Sequence, residues 1–330
     1  MNIQTVTHKG LSFLDIHNPH ELEVKFLRNN YGFNPLNLED FINRTQVPKI
    51  ETYKEYTHVV LDFPYFKKNE EQKPNGNRSL LPQIPLPHFP DQQPKKRIIT
   101  AHVAFFIGKE YLVVLHDDRT PQIDEIFLTC QKALRHREDL MGEGSVFLFY
   151  RVVDLLVDSS FALSNELSST IDFIDGEIAQ NRSPNIVEDI SSTRRNLVVF
   201  QTMIKPILPI FSDLEKGVYK ELNSGMTPFW SNILDHLQKI WEKLEDNREL
   251  IEGLSTSNES ILSSRTNRII TILTIFSAIL LPLNLIASVY GMNVAGLPFA
   301  NAPTAFLTVL VLMGFVGGAL LLIFKGSRWL

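Results

Sequence analysis

The chain has 330 residues, with 37 acids against 32 lysines and arginines, and a single cysteine, Cys130. A net charge of −5 disfavours nucleic acid as a partner and suits attraction of cations. One thiol excludes an internal disulfide, and the absence of a nucleophile–base pair, a phosphate-binding glycine loop or a zinc-protease pattern argues against an enzyme.

The opening residues, MNIQTVTHKG, have no basic start followed by an apolar run, so no cleavable secretory signal is expected. Residues 1–144 mix strand and helix signals and read as an α/β domain. Leu11 to Ile16 alternates as a strand does. Pro19-His20-Glu21-Leu22 opens a helix with acids in its first turn. Val59 to Phe63 reads as a buried strand. His102 to Ile107 and Tyr111 to Leu115 read as two more, joined by a Gly108-Lys109-Glu110 turn. Residues 67–97 form a polar insert with six of the chain's 18 prolines and are expected to be a loop. The PxxP spacing of Pro82-Gln83-Ile84-Pro85 also suits a partner motif.

Residues 145–226 read as a helical hairpin. Its first helix runs from Val146 to Asn181, and its second from Asn185 to about Leu214 with interruptions at Pro206 and Pro209. From Thr227-Pro228 an apolar periodicity through Trp230, Ile233, Leu237, Ile240 and Leu244 continues with no clear stop. It predicts one helix over 227–289, about 90 Å long at 1.5 Å per residue.

Ile269 to Phe324 are 56 consecutive residues with no Asp, Glu, Lys, Arg or His. A bilayer span takes about 20 apolar residues, so this run holds two spans. The long helix ends in the first, 290–303 is the connection, 304–324 is the second span, and 325–330 is a basic tail. Arg265 and Arg268 precede the first span, Lys325 and Arg328 follow the second, and the connection carries no charge. Cations stay cytoplasmic, so both termini are expected in the cytoplasm of a cell whose inner membrane holds the spans.

The first span carries a polar stripe. Asn267, Thr271, Thr274, Ser277, Asn284 and Ser288 recur at steps of three and four, with Leu281 in the one vacancy. That 3.5-residue period keeps them on one face of a supercoiled bundle. Two readings follow: polar glue between helices, or the lining of a wet path made by several copies about an axis. The second span has no such stripe and reads as an outer, lipid-facing helix.

Tyr290-Gly291-Met292-Asn293, between two terminal spans at the end of a very long helix, resembles the loop of the CorA family of divalent-cation channels. Thr266-Asn267 one span earlier and the basic tail are similar too. So are Phe13-Leu14-Asp15-Ile16, the segment from Tyr31-Gly32-Phe33 to Leu38-Glu39-Asp40, and Pro48-Lys49-Ile50-Glu51. The resemblance covers nearly the whole chain except the insert. It implies an α/β cytoplasmic domain with a long stalk helix and two C-terminal transmembrane helices, assembled as a homopentamer in lipid. It implies Mg²⁺ as the transported and regulatory ion, with no other cofactor. Gly291, Met292 and Asn293 would form the selectivity loop, with Asn293 ringing the outer mouth and holding hydrated Mg²⁺ through the ion's waters. Asn267, Leu273, Leu281 and Asn284 match further constrictions.

Neutral amide oxygens accept hydrogen bonds from the waters Mg²⁺ gives up reluctantly. They also hold it weakly enough for release. Where many family members carry an acid after the loop's proline, this chain has Phe299, which leaves the choice among Mg²⁺, Co²⁺, Ni²⁺ and Zn²⁺ open. At the position of one family sensor acid stands Asn232, so Asp235, Asp117 or Asp118 are the candidates for regulatory metal. His116-Asp117-Asp118 reads as a turn closing a strand. His17 and His20 have no neighbouring cysteine or acid pattern that would make a zinc cage. Two alternatives remain at this stage: a zinc transporter of the ZntB type, whose loop usually reads Gly-Ile-Asn, and a non-conducting membrane-anchored oligomer.

Overall fold

The computed structural model describes residues 2–43, 47–67, 96–180, 185–292, 298 and 304–327. Apart from its ends, the insert expected at 67–97 lies outside them. Two compact units are present, Met1–Leu254 and Ser255–Leu330.

The first unit is built on a six-stranded mixed sheet of order β1-β2-β6-β5-β4-β3. Its strands are β1 (Ile3–His8), β2 (Leu11–His17), β3 (Lys49–Thr52), β4 (Thr57–Lys67), β5 (Arg97–Ile107) and β6 (Tyr111–His116). Only β2 and β6 run parallel. Lys9 and Gly10 turn the β1–β2 hairpin with φ of 47° and 87°, the left-handed pair that a two-residue hairpin requires. At the β5–β6 turn a Cβ on Gly108 would stand 2.4 Å from the Tyr111 ring, so any larger residue requires that ring to move.

Alternation along the strands supplies two cores. Phe13, Val59, Leu61, Val103, Phe105, Leu112 and Val114 face one side. Leu14, Ile16, Val60, Ala104, Phe106, Val113 and Leu115 face the other. The second side is covered by α1 (Glu21–Tyr31) and α2 (Pro35–Asn43), through Leu27, Phe33, Leu38 and Phe41. The first side is covered by α3 (Pro121–Lys132), α4 (Leu134–Met141), α5 (Ser145–Gln180) and α6 (Ile186–Glu215). The result is three layers, helix, sheet and helix.

The expected break in α6 does not occur, and the helix runs through Pro206 and Pro209. Both prolines lie off the buried face formed by Ile204, Ile207, Ile210 and Phe211. The carbonyls they release belong to Thr202 and Lys205, which are exposed, so water replaces the lost bonds.

The expected long helix is α7, Thr227–Gly291, 65 residues without interruption. Its first part belongs to the first unit. There Trp230, Ile233, Leu237, Ile240, Leu244 and Ile251 are fully buried. Trp230 packs on Phe149 and Phe211 and donates its Nε1–H to the Leu222 carbonyl at 3.0 Å. The rest of α7 and α8 (Ala305–Gly326) form the second unit.

Candidate functional site

Among the described residues, three helices are long and apolar enough to cross a membrane: Ile186–Glu215, Thr227–Gly291 and Phe306–Gly326. Burial separates them. Half of the most apolar stretch of α6 is buried in the protein, against 6% for α7 and 0% for α8. The apolar side chains of α6 are the core of the first unit. Those of α7 and α8, among them Phe276, Leu285, Phe306, Leu310, Phe315 and Leu322, are exposed, and an apolar surface that large calls for lipid or other helices.

Within the second unit the stripe and the packed face of α7 separate. Ile275 is buried, and Ala278, Ile279, Pro282, Leu283 and Ile286 are half-buried on the side towards α8. A Cβ on Gly317 would meet Leu283 at 3.8 Å, so the two helices are in side-chain contact there. Asn267, Leu273, Thr274, Ser277, Leu281, Asn284 and Ser288 are exposed on the other side, and Thr271 is partly so. Thr271 and Thr274 donate their hydroxyl hydrogens to the carbonyls of Asn267 and Ile270, each at 2.8 Å. Their oxygens keep free lone pairs for a further donor. Seven of the eight predicted lining residues are thus exposed in a single chain. Gly291 ends α7, and Met292 donates its N–H back to Val289 at 3.3 Å. Asn293 lies outside the described residues.

The regulatory candidates are scattered. Asp235 is on the surface, paired with Lys239 at 2.6 Å. Asp117 accepts the Arg119 N–H at 3.0 Å and shapes the turn after β6. Asp118 meets His17 Nε2 at 2.8 Å. The next residue after Asp235 is the one that joins a cluster. His236 of α7 stands 3.5 Å from Asp158 of α5, and Asp154, Asp158 and His236 each bring one donor atom within 4.8 Å of the others. Burial, with the Asp158 charge added, raises the Asp154 carboxyl above its ordinary range and outweighs the Arg151 and His236 charges that lower it. Two acids pressed together in this way favour a cation between them. In sequence the two helices are far apart, and the Asp154-to-Asp158 step of four was the one readable sign.

His17, beside which the sequence shows no acid pattern, meets an acid in the fold. Its partner Asp118 lies about a hundred residues away and arrives because β2 and β6 pair in parallel, with His17 opposite His116.

The CorA-like Mg²⁺ transporter protein family matches residues 8–83 and 78–325, most of the chain. The chain belongs to the CorA family. This is a family of ion transporters rather than enzymes. Over 301 residues it is 25% identical to the cobalt/magnesium transport protein CorA of Thermotoga maritima, which covers 91% of this chain and 78% of that protein. The zinc transport protein ZntB of Pectobacterium carotovorum is 20% identical over 228 residues, 69% of this chain and 68% of that protein. In fold, the chain matches the complete CorA magnesium transporter of Methanocaldococcus jannaschii with a TM-score of 0.76 and 17% identity, over 98% of this chain and 94% of that one. The match includes the α/β domain, the long helix and the apolar C-terminal helices.

Proposed function

We propose that five copies of this chain form a membrane channel that carries Mg²⁺, and with it Co²⁺ or Ni²⁺, inward down the membrane potential. The observation that carries this reading is the exposed polar stripe of α7, opposite the face that packs on α8. An Asn left in hydrocarbon costs several kcal/mol in principle, and a cyclic assembly about the stripe removes that cost by giving it water. The spans are two, α8 is the outer one, and both termini are cytoplasmic. At the outer mouth the Asn293 amides hold the hydrated ion through its own waters. A divalent ion gains about 4.6 kcal/mol per 100 mV, twice the single-charge value. No acid or histidine lies between Ile269 and Phe324 to relay protons.

In the cytoplasmic unit, Asp154, Asp158 and His236 hold a divalent cation that couples α5 to α7 and reports internal Mg²⁺. The likeness to a zinc transport protein gives a second reading, Zn²⁺ flux, and Met292 in place of isoleucine weighs against it. A response of Zn²⁺ flux to a pH gradient, with none for Mg²⁺, decides for the zinc reading.

The test is uptake of Mg²⁺ into liposomes holding the full chain. Asn293→Ala is expected to abolish uptake while the oligomer elutes as wild type. Uptake at the wild-type rate would remove Asn293 from the pathway.

A further inference from the structure

A second group of metal-binding side chains lies on the sheet, apart from α7. His17 and His116 are register partners in the parallel β2–β6 pair and extend to the same face. Their rings stack at 5.0 Å with planes 21° apart. Asp124, in the first turn of α3, stands over them, its Oδ1 3.8 Å from His116 Nε2. One donor atom from each of His17, His116 and Asp124 falls within 4.8 Å of the others. Asp15 Oδ1 lies 2.8 Å from the same His116 Nε2, and Asp118 Oδ1 lies 2.8 Å from His17 Nε2.

The ring of His116 is oriented for ligation. Its Nδ1 faces the Asp117 carbonyl at 3.2 Å and the Thr120 hydroxyl at 3.1 Å. A carbonyl and a carboxylate only accept, so Nδ1 donates to Asp117 and Nε2 donates to Asp15 at 2.8 Å in the metal-free protein, and a metal ion binds Nε2 by displacing that hydrogen. Ligating histidines commonly have their other N–H held by a backbone carbonyl in this way. His116 and Asp15 are buried, which fixes one side of the group, whereas the side chains of His17 and Asp124 are 36% and 42% exposed and form its open side.

We propose that His17, His116 and Asp124 bind a transition-metal ion of the Zn²⁺, Co²⁺ or Ni²⁺ type in the sheet domain. Two imidazoles and a carboxylate suit these borderline ions, whereas Mg²⁺ takes oxygen donors in an octahedron. Donors about 2.0 Å from a shared tetrahedral centre stand about 3.3 Å apart. Asp124, 3.8 Å from His116 Nε2, therefore moves closer on binding, and the half-exposed side chains of Asp124 and His17 are free to do so. The ion joins β2, β6 and α3, which are distant in sequence, and so stiffens this end of the sheet. The site stands independently of any flux through α7.

The experiment titrates Co²⁺ into chelator-stripped full-length protein in detergent and follows the visible absorption of nitrogen-ligated, low-coordinate Co²⁺. Wild type is expected to develop that band at one ion per subunit, to lose it to Zn²⁺ and to keep it in excess Mg²⁺. His17→Ala and Asp124→Asn are each expected to weaken Co²⁺ binding about tenfold or more, while His236→Ala keeps the band. Asp124→Asn is nearly isosteric and on the open side, so it reads the site even where His17→Ala fails to fold. No band in wild type, an unchanged band in both variants, or a band lost only in His236→Ala would each overturn the assignment.

Discussion

At His58 the chain places an ionisable ring where water does not reach. The residue is fully buried on β4, stacked on Phe106 with ring centroids 4.5 Å apart. Among the described residues neither ring nitrogen has a hydrogen-bond partner, and Glu51 Oε2 stands 3.6 Å from Nδ1. Burial pulls the imidazole down to about 4, against a partial upward pull from Glu51. Unfolded, it titrates near 6.5. Between those values the unfolded chain holds the extra proton, so stability falls as pH drops from about 6.5 towards 4 and is flat above. The cost reaches about 3 kcal/mol at the acid end, at 1.36 kcal/mol per unit. His58→Phe is expected to remove that slope from the thermal midpoint of the purified protein, whereas midpoints that fall in parallel for both proteins would show His58 to be irrelevant. At Asp154, Asp154→Asn is expected to make Mg²⁺ uptake less sensitive to internal Mg²⁺. Unchanged sensitivity would leave that cluster structural. Neither role was legible in the sequence. His58 sits in a strand whose neighbours are apolar, and its isolation depends on Phe106 and Glu51 from two other strands.

Elements were more legible than residues, because hydrophobic period is a local signal. The strands around Leu61, Phe105 and Val113, the start of α1 and the whole of α7 follow from it. The strand β1 was missed because only Val6 of its six residues is buried, so it has almost no apolar alternation to read. The two prolines of α6 misled because local propensity cannot tell that their freed carbonyls face water. The α7–α8 contact offers a test at this scale. Ala at Gly317 would place its Cβ in ordinary contact with Leu283, so Gly317→Ala is expected to leave oligomer stability nearly unchanged. Gly317→Leu would drive its branch into that side chain and is expected to lower the thermal midpoint in detergent. Equal midpoints for the two variants would mean that the helices do not pack there.

For the whole molecule, the two long apolar C-terminal helices were legible from the uncharged run, and the stripe from its period, but one sequence could not say which side of α7 packs on α8. In the structure Leu283 lies against Gly317 of α8, and the stripe residues other than Thr271 are exposed. Glue and pore still differ in one respect, access from the aqueous phase. Native Cys130 is buried, and burial pushes its thiol up to about 11, so it contributes little background with water-borne thiol reagents. The deciding measurement introduces single cysteines at Thr274, Ser277 and Asn284, and at Leu283 as the packed control, in the full-length protein in liposomes. Membrane-impermeant thiol reagent is expected to modify the first three, with Mg²⁺ slowing the reaction, and to spare the fourth. Protection of positions 274, 277 and 284 in both the presence and the absence of Mg²⁺ would contradict a water-filled path along α7.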